Sequence, residues 1–138
     1  MTPALALEIA TRAHHGQEDK LGNDYINHPT RIAAKFVDDP DLQSISFLHD
    51  VLEDSEVTEE DLRKLFSSHI VDAVVAMTKR DVQSYDEYLK QVKANEMALA
   101  VKLADVEDNM SRLDQLTDLE TRRRLTEKYE RALEMLTI

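Results

Sequence analysis

The sequence predicts an all-α protein folded as a single domain, and three observations carry that expectation. Only 2 Gly and 3 Pro interrupt 138 residues. Apolar residues recur at helical spacing, and no alternating pattern bounded by turn residues marks a set of strands. The length suits one domain with a real core and is short for two independent ones. No internal repeat, low-complexity tract or linker divides residues 1–138.

Thr2-Pro3 is a good helix start, an N-cap followed by Pro at the first helical position. Ala6, Ile9, Ala10 and Ala13 then share a face, and His15-Gly16 supplies a C-terminal stop. A polar loop over 17–27 carries Lys20, Gly22 and Tyr25 towards His28. That histidine precedes Pro29 and is expected to be extended, at the entrance of a second helix. This helix should end before Asp38-Asp39-Pro40. A third helix is expected over 41–53, with Leu42, Ile45, Phe47 and Leu48 as its apolar contacts.

Thr58-Glu59-Glu60-Asp61 reads as a capped start with acids near the helix N-terminus, and Leu62, Leu65 and Phe66 form the inner stripe. Residues 69–77 read as a buried helix. The β-branched Val71, Val74 and Val75 also suit a strand, but none is available to pair with it. Ser84-Tyr85-Asp86-Glu87 resembles a capping box, and a further helix is expected over 96–113. Leu125, Tyr129, Ala132, Leu133 and Leu136 define a long amphipathic C-terminal helix, with Arg122-Arg123-Arg124 on a solvated face.

Composition excludes several functions. With no Cys there is no disulfide, thiolate metal site or Cys nucleophile. A net charge of −11 argues against duplex nucleic acid, whose binding rests on Lys and Arg. No apolar run approaches a membrane span and no signal peptide is evident, so a cytoplasmic location and no membrane partner are expected.

The richest chemistry lies in Phe47-Leu48-His49-Asp50-Val51-Leu52-Glu53-Asp54. On one continuous helix, Glu53 would stack near His49 and Asp54 near Asp50. His49 and Asp50 are metal-ligand types, but two ligands do not complete a site. His28 and the acid-interrupted helical run around Asp105 can supply others, with Asn109 on the same face as Asp105. Taken singly, each has an ordinary structural explanation. His14 or His15 could stand in for His28, although they end a helix and are better placed behind the ligands.

The order and spacing resemble the His…His-Asp…Asp signature of the HD-domain phosphohydrolases, read as His28, His49-Asp50 and Asp105. The local text is closer still to the hydrolase domain of RelA/SpoT proteins and the small alarmone hydrolases. His15-Gly16-Gln17 with Tyr25-Ile26-Asn27-His28-Pro29 resembles their opening motif. Leu48-His49-Asp50-Val51-Leu52-Glu53-Asp54 resembles the central one, and Val101-Lys102-Leu103-Ala104-Asp105 with Asn109-Met110 the last.

The resemblance implies a compact HD-domain helical bundle that holds one divalent metal, Mn²⁺, through His28, His49, Asp50 and Asp105. Glu53 and Asp54 would orient water and move protons, while Lys20, Tyr25 and Asn109 would face a nucleotide. Tyr25 fits a packed core role equally well. The implied reaction removes the 3′-pyrophosphate of ppGpp or pppGpp, and with no segment for a synthetase domain a stand-alone hydrolase is expected.

Two departures bear on substrate. Glu18-Asp19 stand where these hydrolases carry basic residues, and Val106-Glu107-Asp108 replaces a stretch that commonly contains Arg. A phosphate substrate would gain less from these positions. Local cations must offset the net charge, and Lys20, Lys79, Arg80, Lys102 and Arg112 are the candidates. An HD phosphohydrolase of another phosphate ester and a non-catalytic nucleotide-binding module are the competing readings. A homo-oligomer through the C-terminal helix is left open.

Overall fold

The structure, a computed structural model, describes residues 2–138. Among them are nine α-helices and two short 3-10 turns, with a single isolated β-bridge between Glu18 and Asp24. Helix α1 (Thr2–Ala13) buries Ala6 and Ala10. The chain then reverses at Gly16, whose φ of +82° is one that side-chain-bearing residues rarely adopt. In the following loop the Asp19 carboxylate accepts from the N–H groups of Leu21 (2.9 Å) and Asn23 (3.0 Å). Gly22 completes that turn at φ +84°.

Helix α2 (Asn27–Ala33) begins before His28, so the expected extended His28 is instead in the first helical turn. Pro29 is tolerated there because a first-turn N–H lacks an intrahelical partner in any case. Helix α3 (Pro40–Leu48) is capped by Asp39, which accepts from Leu42 N–H at 3.0 Å. Ile45 and Leu48 are fully buried. Burial of each such side chain stabilises the fold by about 1.5–3 kcal/mol.

The third predicted helix proves to be two. It breaks at His49-Asp50 and resumes as α4 (Val51–Asp54). The His49 ring turns back so that Nδ1 donates to the Ser46 carbonyl at 2.7 Å, inserting a side chain into the backbone ladder. Asp50 then takes φ −108° and ψ 1°. Asp54 still sits one turn above Asp50, its N–H donating to the Asp50 carbonyl at 3.0 Å.

Helix α5 (Glu59–Arg63) has the expected Thr58/Asp61 capping box. Leu62 and Phe66 are buried, but Leu65 is 53% exposed because it lies beyond the end of this short helix. Helix α6 (Ser68–Ala76) confirms the helical reading of the Val-rich run. Helix α7 (Tyr85–Lys93) starts at a Ser84/Glu87 capping box, and α8 (Glu96–Ser111) is capped by Asn95. A 3-10 turn over Leu113–Gln115 leads to α9 (Leu119–Thr137), which buries Leu125, Ala132 and Leu136.

Helix α3 is the hub, packed against α1, α2, α6 and α8, while α9 closes over α7 and α8. This arrangement sets the start of α2, the end of α3 and the middle of α8 around one point. Of the arginine run, Arg122 folds back to donate to the Leu116 carbonyl at 2.6 Å, and Arg123 forms a surface pair with Glu127. No described helix is long and apolar enough to cross a membrane.

Candidate active site

Three helices meet at the floor of the site. His28 comes from α2, His49 from the end of α3 and Asp105 from α8; all three are buried, with candidate ligand atoms within 4.8 Å of one another. His28 Nε2 lies 2.7 Å from Asp105 Oδ1. His49 Nε2 lies 3.0 Å from Asp50 Oδ2 and 3.6 Å from Asp105 Oδ1. Neither approach is aligned as a hydrogen bond, so this buried nitrogen has no hydrogen-bond partner among the described residues.

An unpartnered buried polar atom is costly unless something else meets it. His49 Nδ1 must carry a proton to donate to the Ser46 carbonyl, which in the neutral ring makes Nε2 a lone-pair donor. Two imidazoles and two carboxylates with such an atom at their centre fit a divalent cation of the manganese, iron or zinc type. His28, His49 and Asp105 are the residues able to hold it, with the Asp50 carboxylate beside them. Asp50 Oδ2 also accepts from the Tyr25 hydroxyl.

The acids of the site divide electrostatically. Burial pushes Asp50 and Asp105 up, but their cationic and hydrogen-bonding neighbours prevail. With no cation bound, Asp50 and Asp105 favour the protonated His49 ring, and that imidazolium chiefly holds Asp50 below the ordinary carboxylate range. Lys102, then the imidazoles, hold Asp105 far below it. Glu53 and Asp54 shift the other way, chiefly through partial loss of solvent around their carboxyls, with Asp50 nearby. In Glu53 this prevails over the hydrogen bond that Oε1 accepts from Lys79 N–H at 2.5 Å. Carboxylates split in this way can divide ligand and proton-carrying work.

Above the floor opens a cleft of about 720 Å³, large enough for a nucleotide-sized ligand. Lys102, largely buried, donates from Nζ to Asp105 Oδ2 at 2.9 Å and stands over the Tyr88 ring at 5.2 Å. Lys128 sits over the rings of Tyr85 (5.0 Å) and Tyr129 (5.8 Å). Cations and aromatic faces thus line a site on an otherwise acidic protein.

Comparison with known proteins places this geometry. No protein-family model matches the chain. It is 35% identical over 117 residues to a GTP pyrophosphokinase of Streptomyces coelicolor, covering 76% of this chain and 14% of that protein. It is 34% identical over 125 residues to the guanosine-3′,5′-bis(diphosphate) 3′-pyrophosphohydrolase of Borreliella burgdorferi, covering 80% and 19%. The identity is also 34% over 136 residues to the protein of that name in Vibrio cholerae, covering 88% and 19%. The chain is similar to a segment of each of these proteins. It spans less than a fifth of the length of these curated relatives. A solved structure of a metazoan SpoT orthologue, described as hydrolysing ppGpp, shares its fold, with a TM-score of 0.86 at 23% identity over 98% of this chain and 85% of the other. The two chains share one all-helical fold.

The residues singled out in the sequence converge here in part. Lys20, Tyr25, Glu53 and Asn109 line the cleft, whereas Asp54 is exposed and outside its wall. Asn109 Nδ2 approaches Asp105 Oδ1 at 3.4 Å. Of the basic candidates, Lys20, Lys79, Lys102 and Arg112 line the cleft and Arg80 does not. His14 is buried behind the floor, bonded through Nδ1 to Gln17 and 4.8 Å from the Tyr25 ring, centroid to centroid.

Sequence reasoning missed Arg31, Asp108 and Lys128. Asp108, in the Val106-Glu107-Asp108 stretch, touches a candidate ligand: its Oδ2 is 2.7 Å from His28 Nδ1. A usable signal was the three-residue spacing of Asp105 and Asp108, which puts both on one helix face. Asp19, in place of a basic residue, has a local structural use, since its carboxylate shapes the turn below Lys20.

Proposed function

We propose that this chain removes the 3′-pyrophosphate of ppGpp and pppGpp, consuming water and releasing pyrophosphate with GDP or GTP. The observation that carries the reading is the partnerless His49 Nε2 facing Asp50 and Asp105 at the floor of a nucleotide-sized cleft. The names of the relatives include both a pyrophosphokinase and pyrophosphohydrolases, and it is this cluster that favours hydrolysis.

In this reading His28, His49, Asp50 and Asp105 hold one divalent cation, Mn²⁺. Such a cation polarises phosphoryl oxygens and lowers the pKa of nearby water. The chain supplies the rest. Tyr25 fixes the Asp50 carboxylate by its hydroxyl, and Lys102 offsets the charge of Asp105. Glu53, tethered to Lys79 N–H at the cleft wall, and Asp54 behind it orient water and move its proton. Lys20, Asn109 and Tyr25 face the nucleotide, whose phosphates are offset by Lys102 and Lys128. The enzyme works on a small nucleotide in the cytoplasm, as one domain over residues 1–138.

A second reading is a related phosphohydrolase of another phosphate ester. Glu18 and Asp19 on the cleft wall favour it, since they repel an anionic substrate. Incubation of Mn²⁺-loaded protein with ppGpp and a panel of nucleotides, with products resolved by ion exchange, separates the two. Release of pyrophosphate from ppGpp supports the first. Turnover confined to monophosphates overturns it, and Mn²⁺ binding without any turnover would leave a nucleotide-binding module.

A further inference from the structure

We propose that Arg31 and Asp108 act as a positioning relay that fixes the tautomer and ring orientation of His28 for cation binding, a role that rests on the metal reading above. The relay joins elements distant in sequence. Arg31 Nε and Nη2 donate to Asp108 Oδ1 and Oδ2, each at 2.9 Å, a two-pronged clamp that fixes the carboxylate plane. Asp108 Oδ2 lies 2.7 Å from His28 Nδ1, and the Asp108 side chain is only 7% exposed.

An ionised carboxylate can only accept, so Nδ1 carries the proton; Nε2, 2.7 Å from the Asp105 carboxylate, donates to it in the metal-free protein and offers its lone pair to the floor only once that proton is given up to a cation. His49 obtains the same orientation from the Ser46 carbonyl. One imidazole is therefore set by backbone, and the other by a side chain that a single substitution removes. Without Asp108 the His28 ring loses its selection between tautomers and between its two flipped orientations. Carboxylates bonded behind a ligating histidine typically matter about 10–100-fold for metal affinity.

The competing explanation is a plain ion pair that ties α8 to α2 and matters only for folding. Isothermal titration of metal-free protein with Mn²⁺, beside thermal unfolding of the same metal-free samples, separates them. Asp108→Asn keeps shape and an acceptor oxygen but loses the charge and half of the clamp. It is expected to weaken Mn²⁺ binding about 10–100-fold while the metal-free unfolding midpoint stays near wild type. Arg31→Met leaves Asp108 in place without its anchor and should weaken binding in the same direction by less. In the Zn²⁺-loaded protein, long-range ¹H–¹⁵N spectra should show the His28 proton on Nδ1.

Wild-type affinity in both variants overturns the relay alone and leaves the metal reading standing. A loss of affinity that merely tracks a fall in the metal-free unfolding midpoint also overturns it, assigning the pair to the fold. Failure of the wild-type chain itself to take up Mn²⁺ overturns the metal reading first.

Discussion

Asp50 and Asp105 lie at the buried floor of the cleft, whereas Glu53 and Asp54 lie on the turn that leaves it, and the same functional group meets opposite surroundings. The floor acids are approached by imidazoles, by Lys102 and by the Tyr25 hydroxyl, all of which favour the ionised form. The turn acids lose water without gaining a comparable cation, and Asp50 repels them. The difference teaches that burial alone does not set a carboxylate's role; its partners do. Groups held ionised suit a cation, and groups inclined to hold a proton suit proton transfer.

The largest effect should come from breaking the floor. His49→Ala removes the nitrogen on which the cluster centres, so Mn²⁺ uptake and turnover should both be lost, measured by isothermal titration and pyrophosphate release. Full activity without metal in this variant would remove the floor from the mechanism.

Glu53→Gln should split the two pairs. A proton-transfer group is worth about 10²–10⁴-fold in rate, so kcat should fall by that order while Mn²⁺ affinity stays within a few-fold. In wild-type protein, a limb of the pH–rate profile belonging to Glu53 should lie above the ordinary Glu value of about 4.3, because its folded-state pKa is raised. The same sign has a consequence for stability. A carboxyl whose pKa rises on folding favours the fold below its unfolded value, and that contribution is lost as pH rises through its folded value. At neutral pH Glu53→Gln should therefore raise the metal-free unfolding midpoint slightly, and a lowered midpoint would contradict the assignment.

Tyr25→Phe should have a smaller effect, since it removes only the hydroxyl that fixes Asp50. Mn²⁺ affinity should weaken by roughly tenfold, at the lower end for a group behind a metal ligand. If nucleotide KM rises instead and metal affinity is unchanged, Tyr25 serves the substrate rather than the floor.

What the sequence shows and what it hides follow the range of the interactions. The capping boxes at Thr58/Asp61 and Ser84/Glu87 are local, three residues across, and their helices start where composition says. The floor residues are legible from residue type and order. The break at His49-Asp50 is not, because a ring must leave the helix surface and take a backbone carbonyl from the ladder. Nor is the Arg31–Asp108 clamp, whose partners are 77 residues apart and meet only after α2 and α8 pack. The aromatic faces of Tyr85 and Tyr129 likewise come together only when α9 closes over α7.

The smallest effect tests whether the turn pair depends on its neighbour. Helix α5 follows the Glu53-Asp54 turn, and its start is held by Thr58 Oγ1, which accepts from Asp61 N–H at 3.1 Å, and by Asp61 Oδ2, which accepts from Thr58 N–H at 3.1 Å. Removing the cap with Thr58→Ala should cost about 1 kcal/mol of unfolding free energy. Glu53, however, is tethered to Lys79 and not to α5. Turnover and Mn²⁺ affinity well below the unfolding midpoint should therefore equal wild type. A drop in kcat with metal affinity intact would mean that α5 positions the proton-carrying acids, tying them to the surface turn rather than to the floor.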